Sequence, residues 1–399
     1  MKINLDLHIH SKYSAATSSN MDLQGIAAEA AKKGVKLLGT GDCLFPKWLE
    51  EIRGLPERDG LFDLDGTHFV LTVEVEDCHR VHHLLMVPDV AKASELREAF
   101  SSKSRTLDSD GRPKLHLNGA EIADIALDAG CMIGPSHAFT PWTGIYAYYK
   151  SLPECYLEHA DKIPYIELGL SADTNYADRI SELATRTFLS NSDAHSPRSN
   201  KLGREFNQFE MEEMSYQDLY RAIHRQAGRH PTLNVGFYPE EGKYNRTACT
   251  RCFRQYTALE MAELKRHCPV CGGIIKLGVK DRVDSLADYP EPVHPEHRPP
   301  YLHLIPLAEI IAMALGVKSP DSAGVQKRWN ELIDGSTEIE VLVEADLSEL
   351  NAEPKVINAI RAFRAGDVVV KPGGGGKYGE ISLPEHKEHV EKQKSLLEY

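Results

Sequence analysis

The sequence predicts an α/β chain in three parts. A distorted TIM-like (β/α)7 barrel over 1–240 is followed by a four-cysteine zinc ribbon over 241–280. After a proline-rich linker at 281–300 comes a small, mainly helical domain over 301–399. Three observations predict this. About 235 residues at the start alternate short β-branched runs with stretches of helical spacing, the pattern of parallel strands joined by helices. Two Cys-x2-Cys knuckles follow at the spacing of a zinc ribbon. Past a segment crowded with prolines, apolar residues return at helical spacing.

Taken in order, strands are expected over 3–7, 35–39, 69–75, 83–87, 131–134, 164–168 and 187–190, with helices over 23–33, 90–100, 120–129 and 176–184. Seven strands are too many for a simple two-layer hairpin fold, so a closed or nearly closed barrel is favoured. Cys249-x2-Cys252 and Cys268-x2-Cys271 stand 15 residues apart. Each pair makes a tight turn that aims two sulfurs at one ion, and four thiolates close a tetrahedral structural zinc site. The stretch Tyr289-Pro-Glu-Pro-Val-His-Pro-Glu-His-Arg-Pro-Pro300 cannot be helical, because its prolines fix the backbone and remove donors. Beyond it, helices are expected over 306–315, 322–334 and 354–365 and a strand over 337–343, before Lys371-Pro-Gly-Gly-Gly-Gly-Lys377. That glycine run lacks a Walker pattern, so ATP binding is not predicted. It serves either as a set of amides for a phosphate or as a flexible turn.

Composition narrows the function classes. The 399 residues are 42% hydrophobic, enough for at least one large core. No apolar run approaches the roughly 18 residues of a membrane span, and Lys2-Ile3-Asn4-Leu5 reads as a strand rather than a secretory leader. A cytoplasmic protein with no membrane partner is expected. Four of the eight cysteines sit in the knuckles and Cys43, Cys78, Cys131 and Cys155 are scattered, which metal binding explains better than disulfides. A net charge of -13 argues against nonspecific coating of nucleic acid. Yet residues 243–280 hold eight Lys/Arg against two Glu, a basic island in an acidic chain.

The polar residues fall where a barrel does chemistry. His8 and His10 end the first expected strand, Asp42 follows the second, Glu74 ends the third and His83 opens the fourth. His137 follows the fifth, and Asp193 and His195 follow the seventh. In a parallel barrel such strand ends meet on one face. His83 is the exception, since it begins its strand. Imidazole and carboxylate together suit Zn²⁺, Mn²⁺ or Fe²⁺, and about eight ligands imply two or three ions. Ions held close together activate water and neutralise both the attacking and leaving oxygens at phosphorus, so phosphate-ester hydrolysis is the expected reaction. Each residue also has a plainer reading: Asp42 as a helix cap, His83 as a satisfied core histidine. Glu74, between two valines, resists such a reading because an unpaired carboxylate inside a strand is costly.

His8-Ile9-His10, Thr40-Gly41-Asp42, Thr72-Val73-Glu74, His83-Leu84-Leu85, Pro135-Ser136-His137 and Ser192-Asp193-Ala194-His195 resemble the successive motifs of the PHP (polymerase and histidinol phosphatase) family. The resemblance implies one ion on His8, His10, Glu74 and Asp193, and a second on Glu74, His83 and His137. It also implies a third on Asp42 and His195, with Zn, Mn or Mg as the metal and Asp193, Glu74 and His195 as the catalytic residues. Many members have Asp-His where this chain has Asp42-Cys43, and a further histidine where it has Ser11 to Ser14. Cys43 is either a substitute ligand or an inert buried thiol.

With the ribbon, Arg298-Pro-Pro-Tyr-Leu-His-Leu-Ile-Pro306 and the glycine run, the whole chain resembles the endonuclease Q family of DNA-repair enzymes. That resemblance implies cleavage 5′ of a deaminated base (uracil, hypoxanthine or xanthine) or an abasic site, leaving a 3′-hydroxyl and a 5′-phosphate. Expected DNA contacts are Lys201 and Arg204 on phosphates, Ser171 near the lesion, and Trp142 either stacked on a base or packed as a lid. Arg251 and Arg254 on the ribbon complete the set, unless the ribbon only braces the fold. Gln393, Leu396 and Tyr399 resemble a sliding-clamp (PCNA) box at positions one, four and seven, without the aromatic usual at the eighth. Action on DNA would place the protein at the nucleoid. Two rival readings are a PHP phosphatase acting on a small monoester and an inactive DNA-binding accessory module. The basic island counts against the first and the full ligand set against the second.

Overall fold

The structure, a computed structural model, describes residues 1–384; the expected clamp-binding residues Gln393, Leu396 and Tyr399 lie outside them. Seven strands form the barrel in chain order: Lys2–Asp6, Leu37–Gly39, Thr67–Glu76, His82–Val87, Met132–Pro135, Tyr165–Glu167 and Thr187–Leu189. The first three pair in parallel, with Leu5 opposite Leu37 and Leu38 opposite Phe69, and so do the last two, with Tyr165 opposite Thr187. A bridge from Ile9 to Ala194 returns the ring to its start.

The fourth strand departs from the expected parallel order. It runs antiparallel to the third and to the fifth, with His83 opposite both Val75 and Pro135. The five residues 77–81 between strands three and four are the physical reason, since a parallel return needs a crossover of about a dozen residues. Because this strand runs backwards, its first residues lie at the same rim as the last residues of its neighbours.

Side chains alternate along it. Leu84 and Met86 face the barrel interior with Leu5, Leu37, Met132 and Tyr165, whereas Leu85 and Val87 face the outer layer with Leu38, Ile122 and Ile133. Helices Leu23–Lys33, Val90–Ser101 and Gly119–Asp128 cover that layer, capped by Asp22, by Asp89 and by an Asn118/Glu121 capping box. Strands Phe206–Glu210, His230–Gly236 and Tyr301–His303 extend the sheet beyond the first strand.

Two expected elements differ. In place of a helix over 176–184 there is one turn, Thr174–Ala177, and a 3-10 turn, Ser181–Leu183. The chain bends at buried Asp178, whose carboxylate accepts from Arg298 at 2.8 Å and from His294 at 2.7 Å. In place of a strand over 337–343 there is a π-helical turn, Glu340–Glu344. Its apolar side chains Val341 and Leu342 are buried in the core with helices Leu307–Leu315 and Pro354–Ala365, and a short apolar run carries no periodicity to distinguish the two states.

The ribbon pairs Ala248–Cys249 with Ile275–Lys276. Helix Val279–Leu286 runs across the boundary expected at 280/281, and Arg282 fastens it to the barrel by donating to the Tyr146 and Tyr149 carbonyls. The proline-rich segment is pinned through Arg298 rather than free. The glycine run joins strands Val369–Lys371 and Glu380–Ser382, and the amides of Gly373, Gly374 and Gly376 are taken by the carbonyls of Glu240, Lys377 and Lys243. Those three are therefore closed to a phosphate. No helix among the described residues is long and apolar enough to cross a membrane.

Candidate metal centre

Glu74, at the rim end of the third strand, is the hub. Its Oε1 lies 3.5 Å from His8 Nε2, 2.9 Å from His82 Nδ1 and 3.0 Å from His137 Nε2. Its Oε2 lies 3.5 Å from His10 Nε2 and 3.2 Å from Arg112 Nη1. Asp193 Oδ1 closes the other side, 3.2 Å from His10 Nε2, 3.8 Å from His8 Nε2 and 3.6 Å from His195 Nδ1. Asp42, His137 and Asp193 all adopt positive φ (54°, 29° and 48°), a conformation that costs free energy outside glycine and recurs at functional sites.

The donor set fits divalent cations. His8 Nε2, His10 Nε2 and Asp193 Oδ1 are buried and have no hydrogen-bond partner among the described residues. The opposite ring nitrogens are engaged: His8 Nδ1 is 2.8 Å from Glu167 Oε2, and His10 Nδ1 is 3.2 Å from Asp42 Oδ1. A carboxylate behind a histidine sets its tautomer and turns the far nitrogen toward a metal. Burial alone would hold His8 and His10 neutral, yet Glu167 and Glu74 around the first, and Asp193 and Asp42 around the second, raise both well above the usual range. Burial likewise pushes Glu74 up, but the charges on His82 and His8 hold it well below the ordinary carboxylate range. Asp193 is lowered in the same way, against its burial, by His10 and His8. A divalent cation held among these groups would supply the positive charge that the carboxylates call for. Burial and the neighbouring His10 depress His195, whose Nδ1 is 2.9 Å from the Asp193 carbonyl.

Two expected ligands are placed differently. His83 turns to the outer face, where its Nδ1 meets Tyr156 Oη at 2.8 Å, and His82 takes the place facing Glu74 and His137. The cause is the two-residue alternation of a strand, which sends neighbours to opposite faces. Asp42 sits behind His10 rather than among the converging ligand atoms. Its Oδ2 accepts from Ser11 N and Oγ, both at 2.6 Å, and its Oδ1 from Ser14 Oγ at 2.9 Å. Cys43 is fully buried in the core. The sequence reading missed His82, Arg112 and Glu167. The signal for Glu167 was present, a carboxylate inside the apolar run Tyr165-Ile-Glu-Leu168, as at Glu74.

Among the expected DNA contacts, Arg204 donates from Nε to the Ser192 carbonyl at 2.9 Å, beside Asp193, and Lys201 is partly buried near it. Ser171 follows Gly169, which packs against His137. Trp142 is 40% exposed between barrel and ribbon, with Lys276 Nζ 3.9 Å over its ring. Arg251 donates to the Cys271 carbonyl at 3.0 Å and Arg254 lies over Tyr256.

In the ribbon all four sulfurs lie within 4.8 Å of one another, with Cys249 to Cys271 at 3.4 Å and Cys252 to Cys268 at 3.6 Å, near the roughly 3.8 Å between sulfurs of a tetrahedral Zn–S site. Tyr256 Oη, 3.0 Å from Cys268 Sγ, brings that thiol down to about 6, so it is readily a thiolate. Gly273 is needed because a Cβ there would stand 2.8 Å from Cys249 Sγ.

The chain is similar to several known proteins. A family model described as the MJ0043 C-terminal domain matches residues 306–367. The chain is similar to MJ0043 of Methanocaldococcus jannaschii, 44% identical over 256 residues, which make up 63% of this chain and 32%, about a third, of that protein. It is similar to YqxK of Bacillus subtilis, 31% identical over 406 residues, covering 95% of this chain and 99% of the other. Among solved structures, the lesion-specific endonuclease PfuEndoQ from Pyrococcus furiosus aligns with a TM-score of 0.91 at 46% identity, covering 96% of each chain. A complex of endonuclease Q with a 27-mer duplex carrying an abasic lesion at the active site aligns with a TM-score of 0.90 at 44% identity. That alignment covers 98% of this chain and 100% of the other.

Proposed function

The chain belongs to the endonuclease Q family, and from that premise we propose that it is a metal-dependent DNA-repair endonuclease. Its reaction is hydrolysis of the phosphodiester 5′ of a deaminated base (uracil, hypoxanthine or xanthine) or an abasic site, leaving a 3′-hydroxyl and a 5′-phosphate. The observation that carries this reading is the group of buried, unpartnered donors, His8 Nε2, His10 Nε2 and Asp193 Oδ1, facing Glu74 at the barrel rim.

His8, His10, Glu74 and Asp193 would hold one divalent ion, and Glu74 would reach a second with His82 and His137. His195 beside Asp193 is the remaining donor for a third, and the four ribbon cysteines would hold zinc. Ions so placed supply Lewis acidity and neutralise charge at phosphorus. The chain's own groups do the rest. Glu167 and Asp42 hold the rings of His8 and His10 in register. With Nδ1 donating to the Asp193 carbonyl, His195 has Nε2 open, either for that third ion or, where only two ions are held, to take a proton from the attacking water. Arg112, a quarter exposed at the rim, is placed to turn from Glu74 to a phosphate oxygen, and Arg204 and Lys201 flank the same loop. A mispaired nucleotide, or one that has lost its base, costs less to swing out of the duplex than a soundly paired one, which gives the lesion its advantage.

One assay separates this reading from its rivals. Purified protein with Mn²⁺, Mg²⁺ or Zn²⁺ is offered a labelled duplex with a single uracil or hypoxanthine, beside a small phosphate ester. Nicking 5′ of the lesion is the expected result. Turnover of the ester alone would make the protein a phosphatase, and binding without product would make it an accessory module. Clamp binding through Gln393, Leu396 and Tyr399 rests on sequence; pull-down by a sliding clamp, lost on Leu396→Ala, is the result that reading requires. Work on chromosomal DNA would place it in the cytoplasm, at the nucleoid.

A further inference from the structure

Behind the sheet that carries Glu74 and His82 lies a second group of ligand atoms. Asp77 opens the turn after the third strand, His83 is in the fourth strand, and Cys155 is on helix Leu152–Tyr156. All three side chains are buried, and one ligand atom from each lies within 4.8 Å of the others, Asp77 Oδ2 being 3.5 Å from His83 Nε2. Among the described residues, Asp77 Oδ2 and His83 Nε2 have no hydrogen-bond partner. We propose that these three residues form a buried zinc site, separate from the catalytic centre and from the ribbon.

The distance between the two orphaned atoms favours an ion over a direct bond. They stand 3.5 Å apart, beyond the roughly 2.7–3.2 Å of an N–H···O hydrogen bond. Two ligands each about 2.1 Å from one zinc, at a tetrahedral angle, stand about 3.4 Å apart. The groups around them are set to keep this arrangement. Asp77 Oδ1 is occupied by the amides of His79 and Val81, both at 2.8 Å, which leaves Oδ2 for the interior. Tyr156 Oη, 2.8 Å from His83 Nδ1, can take that nitrogen's proton in a hydrogen bond and leave Nε2 as a lone pair. Room is kept at Gly119, where a Cβ would stand 2.5 Å from Cys155 Sγ and 3.2 Å from His83 Cε1. One imidazole, one carboxylate and one thiolate make a donor set suited to Zn²⁺ and poorly suited to Mg²⁺ or Ca²⁺, and a water completes the fourth position. The ion would join a turn, a strand and a helix from three parts of the chain. It would stiffen the strand on whose other face His82 meets Glu74.

Crystals of the full chain, purified from zinc-supplemented cells, provide the test. Diffraction at the zinc absorption edge and just below it is expected to show an anomalous peak among Asp77, His83 and Cys155, in addition to the peak among the ribbon cysteines. A peak in the ribbon with none at this site overturns the proposal. As a second measurement, Cys155→Ser is expected to contain one zinc fewer per chain than the parent protein, and an unchanged zinc content in the folded variant also overturns it. Should that variant fail to fold, the diffraction result on the parent protein decides.

Discussion

At Glu74 four imidazoles and a guanidinium lie within 3.5 Å of a single buried carboxylate. Such a charge is tolerated only while every neighbour compensates it, which makes the residues around it unequal in what they cost to lose. Asp193 is 30% exposed at the rim and its Oδ1 has no hydrogen-bond partner among the described residues, so Asp193→Ala should abolish nicking while leaving the melting temperature within a few degrees of the parent's. Nicking and thermal denaturation on the same sample check this, and full activity in the variant would refute the assignment. His82 touches both Glu74 and Glu76, at 2.9 and 3.3 Å. Its replacement by Ala should lower activity about 10–100-fold, with part of the loss recovered at high metal concentration. A titration of activity against Mn²⁺ measures it.

Single elements carry their own consequences. Strand Phe206–Glu210 is preceded by Glu205, buried with no partner for Oε2 among the described residues, and burial pushes its carboxyl up to about 8. The folded state thus keeps a proton that the unfolded chain releases near the ordinary glutamate value of 4.5. Fewer protons are bound by the unfolded state across that window, so the stability tied to this group is present below about pH 4.5 and is lost as pH rises toward 8. Glu205→Gln, which keeps the acceptor for the Phe237 amide, should melt above the parent by a margin that widens from pH 5 to pH 8. Parallel melting curves across that range would show that Glu205 titrates normally. For the ribbon, Cys249→Ser should unfold residues 243–277 locally, because zinc binding there is folding free energy. Limited proteolysis should cut that segment first and spare the barrel; a variant as resistant as the parent would remove the structural role.

Across the whole molecule, the C-terminal helices are tied to the barrel by a buried pair 305 residues apart in sequence. Lys33 Nζ lies 2.6 Å from Glu338 Oε1 and 2.7 Å from the Ser199 carbonyl, and Glu338 also accepts from Trp329 Nε1 at 2.5 Å. Lys33→Met would strand a buried carboxylate at a cost of about 3–5 kcal/mol, and adding Glu338→Leu should recover much of it. Urea denaturation of the single and double variants measures both. At this scale the sequence was highly legible: seven strands were expected and seven close the barrel, because each is a short apolar run bounded by turn residues. The ribbon was equally legible, since four cysteines at that spacing have few other uses. The fourth strand's direction was only half visible. The gap between the strands expected at 69–75 and 83–87 is too short for a helical crossover, which marks a hairpin, but periodicity alone does not register it.

By itself, then, the sequence determined which residue types gather at the barrel rim and in what order the chain delivers them, because hydrophobic period and turn chemistry are local properties. Only the tertiary structure decided that His82 and not His83 faces Glu74, that Asp42 stands behind His10, and that residues 340–344 coil instead of pairing. The physical reason is the same in each case. A side chain's face depends on strand direction and register to within one residue, and both are set by partners distant along the chain.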